Sequence, residues 1–222
     1  MNKYLYFGDL HNFWNYAMRE SQSRNKHSRD SLSGEWAGTK TWDEAKSLAL
    51  QGWKDGMLEI EKYRAVFAPI ITEKVVRPIP INSTHGFSVD VGAYMSNNPE
   101  CFINREYEQR NYPGRLFTIV VSCSFSCSVS TDVIIQRGAM ICALIDAIEY
   151  AGHRVEIVCN ETTTYFNGKE EIDVVVKKHE QALEMTDLAF CLAHPAMLRR
   201  MMFSVNGIMN SIMTLTNMEI GF

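Results

Sequence analysis

Arginines alternate with aromatic rings in the stretch CFINREYEQRNYPGRLF, residues 101–117. Arg105, Arg110 and Arg115 fall between Phe102, Tyr107, Tyr112 and Phe117. Guanidinium groups pair with phosphates and flat rings stack on bases, each stacked base contributing ~1–3 kcal/mol. The stretch is therefore a candidate groove for unpaired nucleic acid, with Arg105, Tyr107, Arg110, Tyr112 and Arg115 as its contacts. Glu106 and Glu108 dilute the charge, so the competing reading is a surface loop whose rings anchor it to a core. Upstream, Arg24, Lys26 and Arg29 lie in a serine-rich, mildly basic connection, Arg19–Lys40, expected to act as a flexible arm.

A second constellation is SCSFSCS, where Ser122, Ser124 and Ser126 alternate at the end of a strand-like run. The spacing resembles the opening of a von Willebrand A metal site, Asp-x-Ser-x-Ser, with serine where the aspartate should be. A hard cation needs anionic oxygen, so no metal and no other cofactor is expected. Just beyond, Ser128, Ser130 and Thr131 precede a helix that carries Arg137. Hydroxyls, the first helix amides and a guanidinium could hold a backbone phosphate. The competing reading pairs Arg137 with a nearby Asp. In HPAMLRRMMF, Arg199 and Arg200 are adjacent on a helix and should point in different directions, so at most one would face a ligand. The methionines around them read as core. Neither a nucleophile elbow nor a Walker loop nor an HExxH motif is present, and the histidines show no ligand spacing, so an enzyme is not expected.

These residues need positioning elements. Thr41 and Glu44 make a capping box before TWDEAKSLALQGW, and Gly52 ends that helix. A second helix runs through DGMLEIEKYRAVF. Trp42, Leu48, Leu58 and Phe67 are expected to pack this helical pair, residues 41–68, on the main domain. Thr72–Val91 is strand-like, and Pro78 with Pro80 puts that strand at an edge. Residues 92–117 read as a long irregular passage with one short helix. LFTIVVS is β-branched and reads as a buried strand. A helix follows over Asp132–Ala151 with Gly152 as its stop, then the strand HRVEIVC. Strand, helix, strand with tight connections implies a right-handed βαβ unit. Within that helix Ile134, Met140, Ile141, Leu144, Ile145 and Ile148 share one side. Ala139, Cys142 and Ala143 extend the apolar surface, so the helix should lie on a sheet and be covered by the N-terminal helices. A hairpin is expected about Asn167–Gly168.

The chain has 222 residues, enough for a full core without disulfides or metal. No signal peptide or membrane span is expected. Six cysteines lie mostly inside apolar runs, as free thiols do in a reducing cytoplasm. The net charge of −4 argues against coating duplex nucleic acid by charge alone but leaves room for stacking on single strands. The expected class is α/β: a central sheet containing a βαβ unit and flanked by helices, remotely von Willebrand A-like, not an OB fold. Residues 1–40 are set apart as an aromatic segment plus the basic connection, and 41–222 form one domain.

Four motifs, GTKTWDEAKSLALQGW, VDVGAYMSNNPECF, IIQRGAMICALIDAIEYAGHRVEIV and HPAMLRRMMFSV, occur in this order over about residues 36–205. Together they resemble the Drc type of single-stranded-DNA-binding RNA polymerase cofactor, found in bacteriophages that carry a virion RNA polymerase. The resemblance implies a non-enzymatic protein in the cytoplasm of the infected host. Its partners would be unpaired DNA and a phage RNA polymerase. It also implies a fold other than the OB barrel. Homo-oligomerisation stays open, and a protein-interaction scaffold without nucleic-acid binding is the alternative.

Overall fold

The computed structural model describes residues 2–19, 33–71, 75–110, 114–165 and 168–209. From the N-terminus the elements are β1 (Lys3–Phe7), α1 (Leu10–Ala17), α2 (Gly34–Ala37), α3 (Trp42–Gln51) and α4 (Gly56–Ile71). A smaller set follows: β2 (Val75–Ser83), β3 (Ser88–Val89), α5 (Val91–Met95) and β4 (Phe102–Arg110). The chain then runs through β5 (Leu116–Ser122), α6 (Thr131–Tyr150), β6 (Arg154–Tyr165), β7 (Gly168–Lys177) and α7 (Met185–Ala193). A π-helix, Met197–Met202, comes last and continues as α-helix over 203–209. Residues 72–115 make one compact unit; the rest of the chain makes the other.

The larger unit is a mixed four-stranded sheet in the order β1-β7-β6-β5, flanked by helices and not closed into a barrel. This is the expected α/β class. β5 and β6 are parallel with α6 as their crossover, so the βαβ unit stands. Ser130 caps α6 through the Val133 amide, and Gly152 takes a left-handed φ of 90° after its end. The β6–β7 ladder closes at Tyr165 and Gly168, which makes the expected hairpin. At α3 the Thr41 hydroxyl accepts from the Glu44 amide, while the Glu44 carboxylate accepts from the Lys40 amide.

Three expectations change. Residues 3–17 do not stand apart: β1 pairs in parallel with β7, Lys3 opposite Glu170 through Phe7 opposite Val174. KYLYF alternates Tyr outward with Leu and Phe toward the core, the period of a strand. Residues 102–110 are not irregular but form β4, paired along its whole length with β2 in antiparallel register. Proline-bearing β2 sits at the edge of that three-stranded sheet, as expected. Finally, Leu58 and Met140 are exposed. α6 buries Ile134 and Ile145, as expected, and with them its small face: Gly138, Ala139, Cys142 and Ala143. A Cβ at Gly138 would lie 2.2 Å from Ala193 Cα, so only glycine lets α6 and α7 approach this closely. α4 packs on the same helix and ties to it by Arg64 to Asp146 at 2.8 Å.

The deepest part of the chain is residues 188–202, all buried. Arg199 and Arg200 are among them at 1% exposure each, which removes both as ligand contacts. Arg199 donates to the carbonyls of Trp36 and Val129 and lies 4.3 Å over the Trp36 ring. Arg200 donates to the hydroxyl and carbonyl of Thr39. The wide π-helical turn aims neighbouring side chains at one segment, residues 36–39. Both arginines thus anchor that segment.

His194 lies between Trp53 and Phe190, its rings in contact with both, and its Nδ1 accepts from the Ala196 amide. Burial pulls its pKa from 6.5 to about 4, against a smaller upward pull from Glu44. Between these values the unfolded chain takes up a proton that the folded chain refuses. Stability should therefore fall as pH drops from 6.5 to about 4, by ~3 kcal/mol from this group. Denaturant midpoints measured across this window should slope less steeply for His194→Gln than for the parent chain.

Candidate nucleic-acid interface

On β4 the side chains of Arg105 and Tyr107 fall on one face and Glu106 on the other, because a strand alternates. The acid that diluted the charge in the sequence thus faces away. Tyr107 is 65% exposed, and Arg105 is exposed beside it. Opposite them on β2 stand Pro80 and Pro78, both exposed. Prolines carry no amide hydrogen and no charge, so this part of the face is flat and apolar.

Phe87 completes the set, and the sequence reading missed it. Its amide donates to the Ile103 carbonyl at 3.0 Å, which holds the ring beside β4. The Arg105 guanidinium lies 4.5 Å over that ring, and the ring is 62% exposed. Gly86 is what lets this loop come so close: a Cβ there would stand 2.2 Å from the Ile103 carbonyl oxygen. No local signal marked Phe87, since the contact joins residues far apart in the chain. The structure thus assembles a guanidinium and two exposed rings, with Glu106 turned to the other face of β4.

The other expected contacts are not all brought to this place. Arg110 ends β4, paired with Val75, and its side chain lies outside the described residues. Arg24, Lys26, Arg29 and Tyr112 lie outside them altogether. Arg115 is exposed in the connection just before β5. Arg137 belongs to the larger unit and stands 5.2 Å over the Phe125 ring, half-buried. One terminal guanidinium nitrogen of Arg137 is buried without a hydrogen-bond partner. The serines near it are turned to local work. Ser124 joins the loop to Thr162 of β6 by accepting from its amide and donating to its carbonyl. The hydroxyls of Ser126 and Ser128 bond each other, and Ser130 caps α6.

A second pair of exposed rings, Tyr4 and Tyr6, stands on the larger sheet at 59% each. Their neighbours decide against phosphate. Tyr4 is opposite Glu171 and Tyr6 opposite Asp173. The Tyr4 hydroxyl donates to Asp173 at 2.8 Å, and this bond with burial and the nearby carboxylate charges raises the phenol to about 12. Two phosphates brought here would meet two carboxylates at short range. The cleft at the carboxyl ends of β1 and β7 is lined by Asp9, Glu184 and Asp187 together with His11 and Lys177; burial and Glu184 raise the Asp187 carboxyl.

Among the described residues no group of three or more His, Cys, Asp or Glu side chains is placed to hold a metal ion. Four of the cysteines, Cys123, Cys142, Cys159 and Cys191, meet in the core as free thiols. Burial raises Cys142 to about 12, so it stays protonated. Among the described residues no helix is long and apolar enough to cross a membrane. No curated protein and no solved structure matches the chain. A family model matches residues 2–221, nearly end to end, and the chain belongs to that family, described as a domain of unknown function (DUF7192).

Proposed function

We propose that this chain binds unpaired DNA on the Arg105–Tyr107 face of its three-stranded unit and acts as a non-enzymatic cofactor of a phage RNA polymerase in the infected cytoplasm. The observation that carries the DNA-binding part is the grouping of Phe87, Arg105 and Tyr107: a guanidinium over one exposed ring, a second exposed ring two residues along β4, and Glu106 on the opposite face of that strand. Rings offer stacking to any base, and the guanidinium offers one phosphate contact. A duplex hides its bases from such rings and asks for more cations than this face has. The polymerase part rests on the four-motif resemblance alone.

The test is a fluorescence anisotropy titration of a labelled 12-residue oligothymidylate and of a duplex of equal length, on the parent chain and on Arg105→Ala. The expected result is tighter binding of the unpaired strand, with Arg105→Ala weakening it and reducing the salt slope by about 1. Equal affinity for duplex and single strand would overturn the reading. So would an Arg105→Ala chain with unchanged affinity and unchanged slope.

A further inference from the structure

Among the described residues, helices cover the larger sheet on one side. Toward the helices Ile157, Cys159, Ile172 and Val174 are fully buried. On the opposite face Tyr4, Tyr6, Thr118 and Val120 are exposed, and Asn160, Thr162, Glu171 and Asp173 are half-buried. Parallel strand pairs are found almost always with both faces covered. Here β5 and β6 are such a pair, as are β1 and β7, and Val120 is left 63% exposed.

The polar groups on this face are arranged, not scattered. Cross-strand register sets Tyr4, Glu171 and Thr162 in one row, and Tyr6, Asp173 and Asn160 in the next. The Asn160 amide donates to both carboxylates, at 3.1 Å to Glu171 and 2.6 Å to Asp173. Tyr4 holds the other Asp173 oxygen, and Lys169 pairs with Glu171. Bonds from Lys169 and Asn160 hold the Glu171 carboxyl below its usual range, so it is ionised at neutral pH. Glu156 lies further along the same face. Two fixed carboxylates beside two exposed phenol rings form a cation-binding surface. A guanidinium pairs with a carboxylate in two parallel bonds and stacks on an aromatic face, whereas a phosphate is repelled.

We propose that this bare face is a docking surface for an arginine-bearing segment of a protein partner, with guanidinium groups seated between the Tyr4 and Tyr6 rings and the Glu171 and Asp173 carboxylates. Charge complementarity selects the occupant, and Val120 with the Tyr4 and Tyr6 rings supplies apolar surface beside it. This proposal stands apart from the DNA reading, because it concerns the other unit and the opposite charge.

The test uses the full chain and a labelled 12-residue peptide with arginine at every second position, the spacing of side chains on one face of a strand. Anisotropy should show binding that Glu171→Gln with Asp173→Asn weakens at least tenfold, and Tyr6→Ala weakens severalfold. Tyr6 is 59% exposed, so its loss opens no cavity and leaves the fold intact. Replacing two exposed acids elsewhere, Glu35→Gln with Glu180→Gln, should leave peptide affinity within twofold. Failure of the peptide to bind would overturn the proposal. The same holds if the distant pair weakens binding as much, which would mean bulk charge only. It also holds if the oligothymidylate, and not the peptide, loses affinity when Tyr6 is replaced.

Discussion

Replacing Phe87 and Tyr107 together by Ala should weaken binding of an unpaired oligonucleotide by roughly a hundredfold. The estimate adds two stacked bases at ~1–3 kcal/mol each. Each ring is more than three-fifths exposed, so its removal opens no cavity and the unit should keep its fold. The Phe87 substitution also takes away the surface on which the Arg105 guanidinium rests at 4.5 Å, so the double change costs orientation as well as stacking. The single changes, Phe87→Ala and Tyr107→Ala, should sum to about the double change, since each ring stacks its own base. Anisotropy titration of all three variants checks the magnitude. Circular dichroism spectra that overlay the parent chain confirm the fold. Duplex binding should change much less, because it draws on charge and not on the rings.

The second large effect concerns stability. Lys177 is 4% exposed and donates to the Glu149 carboxylate at 2.7 Å, to the Val155 carbonyl at 2.9 Å and to the Lys178 carbonyl at 3.2 Å. It thereby joins the end of β7 to the end of α6 and the start of β6. Burial would raise the Glu149 carboxyl. Bonds from Lys177 and the Val155 amide, with the Lys177 charge and Arg154, offset that and hold it below its usual range. Lys177→Met should cost about 3 kcal/mol in urea unfolding, the lower part of the range for breaking a buried pair, because Arg154 still reaches Glu149 at 3.1 Å. Adding Glu149→Gln should recover about 1–2 kcal/mol, since the charge left without its lysine is then gone. The parent chain should lose stability as pH falls through the depressed Glu149 pKa, and Lys177→Met should flatten that loss.

How much of this was readable in the sequence depends on how local each feature is. The Thr41–Glu44 capping box, the Gly152 stop and the β-branched strands lie within a few residues of what they determine. β5, α6 and β6 were accordingly legible. β4 was not, because FINREYEQR is rich in charged and amide residues and its strand form comes from pairing with β2, some thirty positions earlier. β1 could have been read from the strict alternation in KYLYF, yet its density of aromatics drew attention to composition and away from period. The sequence left room for one of Arg199 and Arg200 to face a ligand; the carbonyls that satisfy both belong to residues 36, 39 and 129. At the candidate interface, Arg105 and Tyr107 were legible as residue types. The face they share, the exclusion of Glu106 from it and the presence of Phe87 follow only from tertiary pairing.

The most direct measurement of the account is ultraviolet cross-linking of a 5-iodouracil-bearing oligonucleotide to the chain, with the modified peptides located by mass spectrometry. Covalent attachment should fall on the peptides carrying Phe87 and Tyr107. Attachment confined to the peptide carrying Tyr4 and Tyr6, or none on residues 78–107, would contradict it.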